Sequence, residues 1–189
     1  VGRKRSPSDK ELKMYAKQMI SAIQFLHRHN IVYRDVKAEN FVLVGGVLKL
    51  IDFGLSIQVT PNQRDNEVTG DLVGTLEYLA PELLQSCCSR DHITRLERRY
   101  SSAEKIDNFC KCEGYGKPVD IWGLGALLLE LASRGASPFV VGNREEDPTY
   151  GKILNGNYKF PHGLDQSLRK LILRMLVSDP SSRITATEA

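Results

Sequence analysis

The sequence predicts an α+β fold, mainly α-helical, with one small β-hairpin set among the helices. Three observations carry this. Leu12, Ala16, Met19, Ile20, Ile23 and Leu26 recur at helical spacing behind the capping box Ser8-Asp9-Lys10-Glu11. Two short apolar runs, Phe41-Val42-Leu43-Val44 and Val47-Leu48-Lys49-Leu50-Ile51, flank Gly45-Gly46. Residues 119–132 are apolar almost all round, the pattern of a buried helix.

The first helix follows Pro7 and runs to about His27, and Asn30 ends it. His27 and His29 suit the negative pole of its dipole and are assigned no catalytic role. In the hairpin, Gly45 and Gly46 can both take the positive φ of a tight turn. Pairing its strands brings Asn40 and Asp52 to the same end. Residues 55–78 hold Pro, Asn, Asp and Gly without periodicity and read as a loop. A short helix is expected at 79–85. Residues 86–113 are polar and rich in Ser and Arg, so a mobile loop insertion is expected there. Gly135 and Pro138 punctuate the end of the 119–132 helix. Another helix is expected at 148–154. Asp165 caps one with Leu168, Leu171, Ile172, Met175 and Leu176 on a face. A last helix is expected to begin near Thr185.

The 189 residues are one domain's worth and can bury a sizeable core. A net charge of +3 argues for neither nucleic acid nor membrane partners. Arg3-Lys4-Arg5 reads as a solvated cluster. The richest apolar run, 121–132, is too short to span a bilayer and carries Glu130. There is no secretory signal, so Cys87, Cys88, Cys110 and Cys112 read as reduced thiols in a cytoplasmic or nuclear protein. With His92 they could hold zinc, but the pairs lack the usual two-residue gaps, and free thiols are expected.

The chemistry concentrates in Tyr33-Arg34-Asp35-Val36-Lys37-Ala38-Glu39-Asn40, followed after the hairpin by Asp52-Phe53-Gly54. Magnesium prefers oxygen ligands and keeps several waters, and Asn40 and Asp52 supply such oxygens. Asp35 is then placed to accept a hydrogen bond from an attacking hydroxyl and orient it. Lys37 can meet a phosphoryl group as a point charge. A lone Asp-Phe-Gly is common by chance and a lone Arg-Asp is usually a surface ion pair; the joint pattern is what carries weight.

In order and spacing these residues resemble the catalytic loop and metal-binding motif of eukaryotic protein kinases. Gly74-Thr75-Leu76-Glu77-Tyr78-Leu79-Ala80-Pro81-Glu82 resembles the end of an activation segment, and Asp120-Ile121-Trp122-Gly123-Leu124-Gly125 the start of the central helix of the large lobe. The resemblance implies a serine/threonine kinase using ATP and Mg²⁺, with Asp35, Lys37 and Thr75 catalytic. It implies that Lys37, Asn40, Val42 and Asp52 bind the nucleotide and its metal, Val42 lying under the adenine. Glu82 would pair with Arg183, and Asp120 would anchor the catalytic loop from below. Tyr33, with the Gly-Thr-x-Glu-Tyr-Leu-Ala-Pro-Glu run, is similar to the AGC group, although Leu76 and Ala38 replace prolines usual there. Glu39, Glu77 and Glu130 match positions that imply basic protein substrates. Asp71 stands where a phosphorylatable threonine is usual and is expected to pair with Arg34; Thr69 is the alternative phosphosite.

The resemblance covers the large lobe of the family's domain. The sequence holds no Gly-x-Gly-x-x-Gly loop and no Val-Ala-Ile-Lys strand, so residues 1–189 read as a partial kinase domain, a C-terminal lobe with the N-terminal β lobe absent. Such a piece is expected to be inactive alone. A pseudokinase-like binding module is the alternative; the presence of Asp35, Lys37, Asn40 and Asp52 together argues against it.

Overall fold

A computed structural model describes residues 7–59, 68–87, 105–106, 111–139 and 149–189; at 68–71, 86–87, 105–106, 111–114 and 149–150 it describes the backbone alone. Among the described residues are five helices and four two-stranded antiparallel sheets. Helix α1, Asp9–Arg28, begins at Ser8, whose amide donates to Glu11 Oε2 at 2.8 Å while the Glu11 amide returns to Ser8 Oγ at 3.4 Å. Two orphan donors of the first turn are thereby satisfied. Its apolar stripe, Leu12 to Leu26, is buried, and Asn30 beyond its end adopts φ 56.

Strand β1, Ile31–Val32, pairs with β4, Ile57–Gln58. A 3-10 turn at Ala38–Asn40 leads into β2, Phe41–Val44, which pairs with β3, Val47–Leu50, from Phe41↔Leu50 to Val44↔Val47. Gly45 and Gly46 make the turn at φ 57 and 84. Gln18 of α1 fastens this hairpin to the helix, accepting from the Leu48 amide at 2.6 Å and donating to the Gly46 carbonyl at 3.2 Å. The hairpin's far side is apolar yet exposed, with Leu43, Val44 and Val47 each about half accessible.

The core is built around α3, Pro118–Ala132, in which every residue from Val119 to Leu129 is buried. Helix α5, Gln166–Met175, starts at Asp165, which accepts from the Ser167 and Leu168 amides at 2.8 and 3.2 Å, and it buries Leu168, Ile172 and Met175. Gly123 of α3 lets the chain at Val36 approach: a Cβ there would lie 2.9 Å from Val36 Cβ. Trp122 stacks on Phe139 with ring centres 6.0 Å apart. Helices α2, Pro81–Cys87, and α4, Thr149–Leu154, complete the set, α2 burying Leu83 and Leu84.

Two expectations need correction. Residues 55–78 are not a plain loop: they contain β4, β5 at Val68–Asp71, β6 at Gly74–Thr75 and a 3-10 turn at Leu76–Tyr78. The partners of β5 and β6 lie in or beside the stretch expected as a loop insertion. Strand β7, Lys105–Ile106, pairs with β6, and β8, Lys111–Tyr115, pairs with β5. Strands this short have no alternation to read, and pairing with a distant segment decides them. At Thr185 there is a turn: its amide and hydroxyl bind Glu188 at 2.9 and 2.8 Å, the geometry of a first helical turn. The cysteine and His92 side chains considered for zinc lie outside the described residues.

Candidate active site

The site is assembled on the buried N-terminal end of α3. Asp120, 1% exposed, points its carboxylate at the chain between β1 and the 3-10 turn. Its Oδ2 accepts from the Tyr33 amide and its Oδ1 from the Arg34 amide, both at 2.8 Å. His27 Nε2 of α1 lies 2.8 Å from Oδ2. These contacts fix a backbone that local preference would not choose, since Arg34 sits at φ 70. Tyr33 is buried, and its hydroxyl donates to the Ile51 carbonyl at 2.5 Å, joining this loop to the chain just before Asp52. Burial first, then the negative charges of Asp35 and Asp52, push the Tyr33 phenol well above its ordinary range, so it stays a neutral donor.

Asp35 is 2% exposed and its carboxylate is surrounded by donors. Thr75 Oγ1 donates to Oδ1 at 3.2 Å. Asn40 Nδ2 donates to Oδ2 at 3.0 Å and to the Asp35 carbonyl at 2.8 Å. Lys37 Nζ lies 2.9 Å from Oδ2. A buried carboxylate is tolerated only with such compensation. Asp52 follows the hairpin's open end, where the Ile51 amide donates to the Asn40 carbonyl at 2.9 Å. It is exposed, adopts φ 59, and accepts from the Gly54 amide at 3.1 Å. Val42 lies on β2 opposite Lys49 and is 39% exposed.

Asn40 and Asp52 each carry a hard oxygen donor. Among the described residues no cluster of three His, Cys, Asp or Glu could cage an ion. Such oxygens fit magnesium, which is held by one or two side chains and keeps its waters.

The acidic positions lie to one side. Tyr78 donates a short hydrogen bond to the half-buried Glu130. Burial, reinforced by the charge of Glu39, holds the Glu130 carboxyl above its usual range despite that bond, and Glu39 and Glu77 also act on the Tyr78 phenol. The three glutamates thus share one field. Arg34 donates from Nε to the Leu55 carbonyl at 2.6 Å and from Nη1 to the Tyr115 hydroxyl at 2.8 Å. Thr69 and Asp71 lie on β5, and their side chains, with the expected Asp71–Arg34 pair, fall outside the described residues. Across the core, Arg183 meets Glu82 through two bonds of 2.6 and 2.8 Å and lies over the Trp122 ring.

Three residues here had escaped sequence reasoning: His27, Tyr78 and Tyr115. Each reaches its partner across 93, 52 and 81 positions of chain respectively. No local pattern signals such contacts.

Comparison with protein families matches residues 1–189 to the protein kinase domain. The chain belongs to the protein kinase family. A cAMP-dependent protein kinase catalytic subunit of Dictyostelium discoideum is 36% identical over 183 residues, 95% of this chain and 22% of that protein. The human phosphorylase b kinase gamma catalytic chain, liver/testis isoform, is 35% identical over 187 residues, 96% of this chain and 39% of that protein. An Aurora kinase of Eremothecium gossypii is 34% identical over 175 residues, 92% of this chain and 39% of that one. The kinase chain thus spans 22% to 39% of the length of these relatives.

Proposed function

We propose that the protein carrying this kinase domain transfers the γ-phosphoryl group of Mg-ATP to serine or threonine hydroxyls of basic proteins. The observation that carries this reading is Asp35: a buried carboxylate held by Lys37, Asn40 and Thr75 at the mouth of the hairpin. Asp35 accepts the hydrogen bond of the acceptor hydroxyl and aims it. Lys37 meets the transferring group with a positive charge, and Thr75 keeps Asp35 in position. Asn40 and Asp52 hold the magnesium, which when bound neutralises charge on the phosphates. Val42 offers an apolar surface to the adenine. Asp120 holds the loop through two backbone amides, and Glu82 with Arg183 locks the segment that bears Thr75 to the core. Glu39, Glu77 and Glu130 attract arginine upstream of the acceptor. Tyr33 and the 74–82 run favour an AGC-like kinase, and Asp71 or a phosphorylated Thr69 would act on Arg34 as an ordering anion.

Residues 1–189 alone are expected to transfer little phosphate. The sequence has no Gly-rich phosphate loop. Each absent charge-assisted contact, at about 1.5–3 kcal/mol, weakens nucleotide binding roughly ten- to a hundredfold. Among the described residues no helix is long and apolar enough to cross a membrane. A cytoplasmic or nuclear location is proposed for the protein.

The test uses the full-length protein with labelled ATP, Mg²⁺ and serine peptides with or without upstream arginine. Transfer to the arginine peptide that disappears in Asp35→Asn supports the reading. A wild-type protein that binds such peptides but never phosphorylates them would leave the pseudokinase alternative.

A further inference from the structure

Arg34 is fixed at its main chain by Asp120, and its side chain then bridges two other segments. Nε reaches the carbonyl of Leu55, the residue after Asp52-Phe53-Gly54, and Nη1 reaches the hydroxyl of Tyr115. Tyr115 is 2% exposed and ends β8, directly opposite Val68 of β5. We infer that Tyr115 is a positioning residue for the metal-binding loop, holding the Arg34 guanidinium so that it fixes the Leu55 carbonyl and, through it, the backbone that carries Asp52. This rests on the phosphoryl-transfer reading.

The guanidinium is planar and its donors form a rigid fork, so a partner at Nη1 sets where Nε points. The loop it steadies needs support. Asp52 holds a left-handed backbone that surroundings must impose, and locally it is braced by the Gly54 amide and by the Ser56 amide on the Phe53 carbonyl at 3.0 Å. Without the Tyr115 hydroxyl, a guanidinium donor loses its partner in a poorly hydrated place and the plane can turn away from Leu55. Strand β8 is thereby linked through Arg34 to the loop that carries Asp52.

Tyr115→Phe in the full-length protein removes the hydroxyl and keeps the ring. The Mg²⁺ concentration for half-maximal transfer should rise about tenfold, with the peptide KM unchanged. Amide hydrogen exchange at residues 52–56 should quicken while α1 and α3 exchange as before. Equal Mg²⁺ dependence and equal exchange at 52–56 would overturn the inference. So would faster exchange spread evenly through α1 and α3, which would give the hydroxyl a part in stability alone. A wild type that transfers no phosphate would instead defeat the phosphoryl-transfer reading, and the exchange measurement would still decide the contact.

Discussion

Asp120 gathers two backbone amides and a histidine ring around one buried carboxylate, so its loss leaves three groups without a partner at once. Asp120→Ala is expected to destabilise the domain by about 3 kcal/mol or more, read from denaturant unfolding. Asp120→Asn, which keeps one acceptor, should lose less. At the acidic side, the raised Glu130 carboxyl takes up its proton at a higher pH than an ordinary glutamate. In the proposed substrate role the ionised form attracts arginine, so attraction is present above the raised value and disappears as pH falls through it. KM for an arginine peptide should therefore climb on acidification while that of a neutral peptide does not, and Glu130→Gln should remove the difference. Equal profiles for the two peptides would count against a substrate role for Glu130.

Helix α1 and the hairpin were legible because their signals are local. A capping box and a helical stripe define α1, and two glycines between apolar runs define the turn. Ser8→Ala should lower stability by about 1 kcal/mol, seen as a shifted denaturation midpoint with an unchanged slope. Gly123→Ala should cost about 1–3 kcal/mol, because the added methyl meets the Cβ of Val36, an atom that alanine at 36 would keep; a lowered denaturation midpoint that Val36→Ala does not restore would show the collision. Strands β5 to β8 were not legible. Each runs for two to five residues and finds its partner across a long stretch of polar chain, so neither periodicity nor turn chemistry announces it. The site divides the same way. Asp35, Lys37 and Asn40 sit within one loop and could be read together, whereas Thr75 and Asp120 entered through the family resemblance and the His27–Asp120 contact had no local signal.

For the whole molecule, the Glu82–Arg183 pair joins α2 to the segment beyond α5 through the core. Arg183 also donates to the Pro118 and Val177 carbonyls at 2.8 and 2.9 Å. Arg183→Ala strands a buried carboxylate and the Pro118, Val177 and Ser178 carbonyls and should cost about 3–5 kcal/mol, measured as a lowered melting temperature. The same guanidinium lies over Trp122, the chain's single tryptophan, which is wholly buried against Phe139. The protein therefore carries its own lamp at the centre of α3. Its emission should be blue while the core is intact and should redden only when water reaches that helix, so a fluorimeter alone can follow whether the latch at Arg183 has opened.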